Sequence, residues 1–294
     1  MSRVEKAVLS TNIKPHKSYK KSRTIDRIMI YALLIGFSIL FILPFIWLIS
    51  TSLKTESQAI TYPPSILPSP FDWGNYKEVF ELVPFLRFYM NTIIVTGFTV
   101  LGTIVSSSIV GYAFARIKGR GRNFWFVILL STMMLPPQVT MIPVYLIFSN
   151  LGWVNTFLPL IVPAFFGNAF FIFLLRQFFK AIPKELEESA IIDGCSTFGV
   201  FWRIVVPLSK PALITVGILS FMGSWNDFLT PLIYLNDTSK YTLALGIQLF
   251  NGQLNMQWGP MMAASTMVIL PLVLIFFFAQ KHFIEGIALS GIKG

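Results

Sequence analysis

Residues 28–53 read IMIYALLIGFSILFILPFIWLISTSL, and no charged side chain interrupts them. A helix needs roughly 20 apolar residues to cross the hydrocarbon core of a bilayer, about 30 Å thick. This run is long enough. It is followed by three more uncharged runs, Phe88 to Ala115, Asn123 to Leu175 and Tyr241 to Gln280, and the run from Asn123 has room for two crossings. The whole chain is 54% hydrophobic and 12% charged, with a mean hydropathy of +0.69. A soluble domain carries about 25% charged residues. The apolar residues are collected into runs rather than scattered, so the chain reads as an integral membrane protein.

The fold class expected is an all-α membrane protein with six transmembrane helices, at roughly 28–50, 89–113, 124–147, 157–178, 211–234 and 260–280. Asn150, Gly152 and Asn155 supply turn chemistry between the third and fourth. Prolines 44, 136, 137, 159, 163, 231 and 271 fall inside or at the ends of these spans. They suit kinked helices around a cavity, and they equally suit the ordinary tolerance of membrane helices for proline.

Orientation follows from Lys and Arg. Of the 23, eight lie before residue 28, four in RIKGRGR at 116–122, five in 176–210 and two after residue 280. The three alternate loops hold only Lys54, Lys77, Arg87 and Lys240. The positive-inside rule then places both ends in the cytoplasm. The same asymmetry explains the net charge of +10 as a device for orienting the chain and argues against nucleic acid as a partner. The division expected is a polar N-terminal tail, 1–27, a membrane domain, 28–281, with a cytoplasmic loop at 180–210, and a C-terminal tail, 282–294. The first apolar run is too long, and its leading tail too long, for a cleaved signal.

Chemistry-bearing residues are sparse. Cys195 is the lone cysteine, and His16 and His282 lie in the tails, so neither a metal cluster nor a Ser-His-Asp set is in prospect within the membrane. No G-x-x-x-x-G-K-[ST] occurs, so no nucleotide cofactor is expected in this chain. The densest acidic cluster is ELEESAIIDG at 185–194, on the cytoplasmic side by the charge count. The spacing predicts a short helix there. Pro183 suits its first turn, Glu185, Glu187 and Glu188 favour the positive end of the helix dipole, and Gly194 suits its C-terminal cap. Ala190 and Gly194 present a small-residue face. STFGVFWRIVV reads as a second short helix, capped by Ser196 or Thr197 and stopping at Pro207. An acid-tipped helix on the cytoplasmic face suits docking, and it suits a solvated loop equally well.

The stretch ESAIIDGCSTFGVFWRIVVPLSKP, however, resembles the EAA loop of ABC importer permeases. Glu188, Ala190, Asp193, Gly194, Ile204 and Pro207 match that pattern, Ser189 stands for its first alanine and Val206 for its leucine. GYAFARIKGRGR (111–122), MLPPQVTMIPVYLIFSNLGWVNT (134–156), WNDFLTPLIY (225–234) and EGIALSGIKG (285–294) extend the likeness to the carbohydrate branch, and there to the smaller maltose-type subunit. The resemblance implies the bacterial inner membrane as location and the 184–194 helix as the coupling helix between membrane helices four and five. Glu185, Glu188, Ser189, Ala190, Asp193, Gly194 and Pro207 then belong to ATPase coupling. It implies a homologous second permease subunit, two ATPase subunits that bind the ATP and Mg, and an extracytoplasmic solute-binding protein. The chain itself is then no enzyme.

Asp227 is the lone acid inside an expected span, beside Trp225 and Asn226. An intramembrane carboxylate suggests function, and this trio suits sugar hydroxyls and an apolar sugar face. The competing reading is a kink before Pro231 or a contact with the partner subunit. Segment 236–259 is expected to face the solute-binding protein, and 54–88 to be an ordered surface loop without regular structure. Trp73, Tyr76 and Trp258 suit an interfacial belt. Gly286, Gly291 and Gly294 suit a C-terminal tail resting near the ATPases, or a frayed end. An ion-coupled secondary transporter is the rival class, but one Asp is a poor supply of coupling sites. Di- or oligosaccharides fit the branch, and polyols or glycerol phosphates remain as alternative solutes.

Overall fold

The computed structural model describes residues 19–252 and 257–291, and side chains over 26–250 and 257–278. The described residues are helical or irregular, with no strand among them. Four helices are long and apolar enough to cross a membrane: Asp26–Ser52, Phe85–Arg116, Leu158–Ala181 and Trp258–Phe278. Two sharply bent pairs, Arg122–Thr132 with Pro137–Asn150 and Thr197–Leu208 with Lys210–Trp225, raise the number to six if each pair is one span.

The bends lie where the prolines and glycines are. The expected third helix, 124–147, is interrupted: its halves meet at 97°. Pro136 is extended (φ −60°, ψ 133°) and Pro137 opens the second half. A proline forces its predecessor out of the helical region and has no N–H to continue a ladder, so the tandem pair breaks the span outright. The expected fourth helix is composite. A 3-10 segment, Val162–Phe166, ends at Gly167 (φ +94°), and Asn168 restarts the helix by accepting from the Phe170 and Phe171 N–H groups at 3.0 and 3.3 Å. The expected fifth helix, 211–234, ends at Trp225 and resumes as Leu229–Tyr234.

The Phe85–Arg116 helix is the axis of the molecule. Its first turn feeds one core, in which Phe85 and Phe88 pack with Trp225, Leu243, Phe250 and Ala264. Its last turns feed a second, in which Tyr112 and Ala115 pack with Leu175, Phe179, Phe201 and Val216. Hydroxyls line the helix between the two. Ser106 donates to Ala164 O at 2.8 Å and Thr99 to Leu160 O at 3.3 Å, Ser220 donates to Thr103 Oγ1 at 3.2 Å, and Ser224 donates to Thr96 Oγ1 at 3.2 Å. Positions 96, 99, 103 and 106 recur at three- and four-residue spacing and so share one face. Small hydroxyl residues let helix backbones approach closely in a membrane, where apolar burial gives no advantage over lipid.

Several loops carry more structure than their composition indicates. Gly74–Leu82 is a helix, so 54–88 is not irregular throughout; the Pro-rich part, 60–70, is the irregular part. Asn75 holds this helix to the first one, donating to Ser52 O and Lys54 O at 3.0 and 2.8 Å. Lys54 lies buried over the Trp47 ring, and burial pushes its ammonium below the usual lysine range. Within the 236–259 segment, the part from Ser239 to Leu243 is held to the axis. Asn91 donates to Ser239 O and Tyr241 O, both at 3.0 Å, and Thr92 Oγ1 accepts from the Leu243 N–H at 2.8 Å. The first helix begins at Tyr19, within the stretch read as tail, and the last runs to Gly291, carrying Gly286 and Gly291 in its backbone, while Gly294 lies outside the described residues.

Candidate functional site

The 180–210 loop forms the helix its acids announce, Lys184–Ile192. Pro183 precedes the helix, extended at ψ 133°, and does not occupy its first turn. The C-terminal end closes through Gly194 at φ +84°, a conformation that costs glycine nothing. The Gly194 N–H bonds Ile191 O at 3.0 Å and the Cys195 N–H bonds Ala190 O at 2.9 Å, which satisfies two orphan carbonyls and turns the chain sharply. Ser196 then caps the second short helix, accepting from the Gly199 N–H at 3.2 Å. That helix does not stop at Pro207 but runs to Leu208, with a π-turn over Phe201–Val205. The π-turn lies just before the proline that lacks an N–H to bond.

One side of the Lys184–Ile192 helix is fastened. Glu187 is buried and pairs with Arg116, Nε to Oε1 at 2.7 Å, both side chains being nearly solvent-free. Tyr112 OH donates to the other carboxylate oxygen at 3.3 Å, and the Arg116 guanidinium also donates to Ile182 O. Phe85–Arg116 has 32 residues, about 48 Å at 1.5 Å per residue, against a hydrocarbon core of about 30 Å. The helix is thus longer than a crossing requires, and its charged end meets the loop. Arg176 braces the same end, its guanidinium 3.8 Å from the Phe126 ring centroid and its Nε donating to Phe114 O at 3.2 Å.

The other side is bare. Glu185, Glu188, Ser189, Asp193 and Gly194 are exposed, Ala190 half-buried and Pro207 exposed. Between them stand large apolar side chains, Ile192 at 86% exposure, Phe198 at 67%, Ile191 at 56% and Trp202 at 50%. A lone exposed apolar residue means little, whereas a cluster of them among charged residues on one loop marks a contact surface.

A cavity of about 410 Å³ lies between the two cores, bordered by Thr99, Thr103, Asn168, Ser220, Ser224 and Asp227 among others. Of the three residues read as a solute path, the cavity takes Asp227 alone. Trp225 is buried in the first core and donates from Nε1 to Val268 O at 3.1 Å. Asn226 Nδ2 is engaged by Met222 O at 2.8 Å. Asp227 Oδ1 accepts from the Thr230 N–H at 3.1 Å and so restarts the helix after its break. Asn226 and Asp227 thus make their hydrogen bonds at the helix break, and the Asp227 carboxylate also borders the cavity.

The family described as binding-protein-dependent transport system inner membrane component matches residues 104–288. The chain belongs to that family. This inner membrane component is thus a transport subunit rather than an enzyme. It is similar to the probable ABC transporter permease protein YurM of Bacillus subtilis (strain 168), 36% identical over 85% of this chain and 83% of that one. It is similar to the arabinooligosaccharides transport system permease protein AraQ of the same organism, 32% identical over 92% of this chain and 97% of that one. Among solved structures, a chain of a bacterial ABC transporter involved in the import of the acidic polysaccharide alginate superimposes with a TM-score of 0.80 at 27% identity, over 90% of this chain and 99% of that one.

Two features of this inner membrane component escape sequence reasoning. Among three glutamates, nothing marks Glu187 as the buried one, and Arg116 reads as one more basic residue on the cytoplasmic side. Asn155 reads as a turn residue (φ +60°), yet it also buckles two loops together. Its Oδ1 accepts from the Asn236 and Asp237 N–H groups at 3.2 and 3.1 Å, and its carbonyl accepts from Lys240 Nζ at 2.7 Å. Beside it, the Ser239 N–H bonded to Asp237 holds that carboxyl below the usual carboxylate range.

Proposed function

We propose that this chain is one permease subunit of an ATP-driven oligosaccharide importer, forming half of a translocation pore and receiving the ATPase stroke at the Lys184–Ile192 helix. The observation that carries the reading is the two-sidedness of that helix, fastened through Glu187 and bare through Glu188, Ile191 and Ile192. Partners are a homologous permease subunit, two ATPase subunits holding ATP and Mg, and an external solute-binding protein. The membrane domain is 28–281, crossed six times, with both termini and the 180–210 loop in the cytoplasm. Glu185, Ser189, Ala190, Asp193, Gly194 and Pro207 shape the docking face. The sugar class rests on the relatives' names, arabinooligosaccharides for AraQ and starch degradation products for AmyC of Thermoanaerobacterium thermosulfurigenes, 34% identical over 87% of this chain.

Glu188→Lys tests the docking face. The substitution reverses an exposed charge without touching the Arg116 pair. The chain is expected to accumulate in the membrane normally while uptake by the assembled transporter falls at least about tenfold, the loss a single well-placed contact of 1.4 kcal/mol produces. Undiminished uptake refutes the assignment.

Asp227 contributes to the break between the two parts of the fifth helix. Asp227→Asn keeps a capping oxygen, and uptake and apparent affinity are expected to be unchanged. Asp227→Ala removes the acceptor and costs about 0.5–2 kcal/mol of stability, visible as a lower Tm in detergent. An apparent affinity that falls in Asp227→Asn at constant Tm moves the carboxylate into the solute path.

A further inference from the structure

We propose that the buried Arg116–Glu187 pair is the joint that makes the Lys184–Ile192 helix and the Phe85–Arg116 helix move as one body. The proposal rests on the docking role given to the Lys184–Ile192 helix above, and it assigns Glu187, Arg116 and Tyr112 as positioning residues, distinct from the docking face.

Three contacts define the joint: Arg116 Nε to Glu187 Oε1 at 2.7 Å, the Arg116 guanidinium to Ile182 O, and Tyr112 OH to Glu187 Oε2 at 3.3 Å. Tyr112 and Arg116 stand one turn apart on the same face, so the carboxylate is gripped at two heights of one helix. Covalent connection does not fix this orientation. The Lys184–Ile192 helix is entered through Ile182 and Pro183, where the proline ring holds φ, but it leaves through the left-handed Gly194, whose backbone no side chain restrains. Backbone torsions at such a position absorb rotation readily. A buried ion pair is a poor source of stability compared with apolar packing, and its best-attested use is to select one geometry. Arg suits that use because one guanidinium meets the Glu187 carboxylate through Nε and Ile182 O through a terminal nitrogen at the same time, which a lysine ammonium on its flexible stem does not reproduce.

The other end of the lever is the cavity. Thr103 and Thr99 border it from the same Phe85–Arg116 helix, and Thr103 lies about 20 Å from Arg116 at 1.5 Å per residue. Displacement of the fastened helix therefore reaches the cavity wall through one continuous rod, and the Ser220–Thr103 hydrogen bond passes it to the Lys210–Trp225 helix.

The test measures the rod directly, with no sugar required. Spin labels are placed at Ile192→Cys, on the bare face, and at Gly97→Cys, where a side chain meets no atom within 4 Å, in a Cys195→Ser chain assembled with its ATPase partners. The Ile192–Gly97 distance is read with and without ATP plus vanadate. In the parent chain it is expected to be the same in both states. In Glu187→Gln it is expected to shift with nucleotide by more than about 2 Å, the scale of helix displacements at interfaces, or to broaden. Should Glu187→Gln fail to accumulate, Arg116→Lys keeps the charge, loses the simultaneous contacts and is expected to show the same loosening. A parent distance that changes with nucleotide overturns the joint, and so does a fixed distance in whichever variant accumulates. Immobilisation of the label at 192 on adding the ATPase subunits reports docking separately, so failure of the docking reading is told apart from failure of the joint.

Discussion

Replacing Glu187 alone with leucine is expected to destabilise the chain by about 3–5 kcal/mol, the cost of leaving a buried partner charge uncompensated. The partner left behind is Arg116, whose side chain is 7% exposed and cannot turn to water without unpacking Tyr112 and Ile182 from the second core. The chain is expected to lose most of its monodisperse fraction after mild heating in detergent. Arg116→Leu strands the carboxylate instead and is expected to cost a similar amount. The double variant Arg116→Leu/Glu187→Leu removes both charges and is expected to recover most of the loss, because a buried pair and well-packed apolar replacements are often near parity. That recovery separates a lost pair from a merely misplaced leucine. Equal damage from the double variant contradicts the electrostatic account.

Gly111→Val is expected to be the next most damaging change, at about 1–3 kcal/mol from overpacking. A Cβ at Gly111 meets Leu175 Cβ at 3.2 Å and two backbone atoms of the neighbouring helix, Arg176 N and Ile172 O, both at 3.3 Å. Backbone atoms in a helix do not step aside singly, so the whole Ala169–Ala181 helix must move, and with it Leu175 and Phe179 in the second core. At Gly102 the nearest atom, at 2.6 Å, belongs to the Phe165 ring, which has rotamers to move into. Gly102→Ala is therefore expected to cost less than Gly111→Val in the same thermal assay. The reverse order contradicts the close-approach argument.

Much of this architecture is legible in the residues, and the physical reasons differ by element. Uncharged runs give the long helices directly, because bilayer thickness sets their length. The acid–glycine pattern of 185–194 gives the short helix, because capping chemistry is local. The Pro136–Pro137 break is legible as a possibility, but the 97° angle depends on what the second half, Pro137–Asn150, meets in space. Glu187 is hidden because its burial depends on Arg116, 71 positions earlier, arriving at the same place. The Thr96, Thr99, Thr103, Ser106 stripe is the signal sequence reading passes over. Its three- and four-residue spacing marks a packed face, yet hydroxyls in an apolar run look incidental until their partners on two other helices are seen. Trp225 is hidden in the opposite sense: an aromatic beside Asn and Asp looks like a sugar platform, while its ring packs in the first core with Nε1 on Val268 O.

The most direct test of the central claim is a cross-link from the bare face of the Lys184–Ile192 helix. Ile192→Cys in a Cys195→Ser chain carries a photoactivatable group in membranes containing the assembled transporter. The account predicts an adduct with the ATPase subunit, with a yield that changes when ATP and vanadate are added and that falls in Glu188→Lys. An ATPase that co-purifies with the chain yet never cross-links from position 192, nor from Ile191→Cys beside it, contradicts the account.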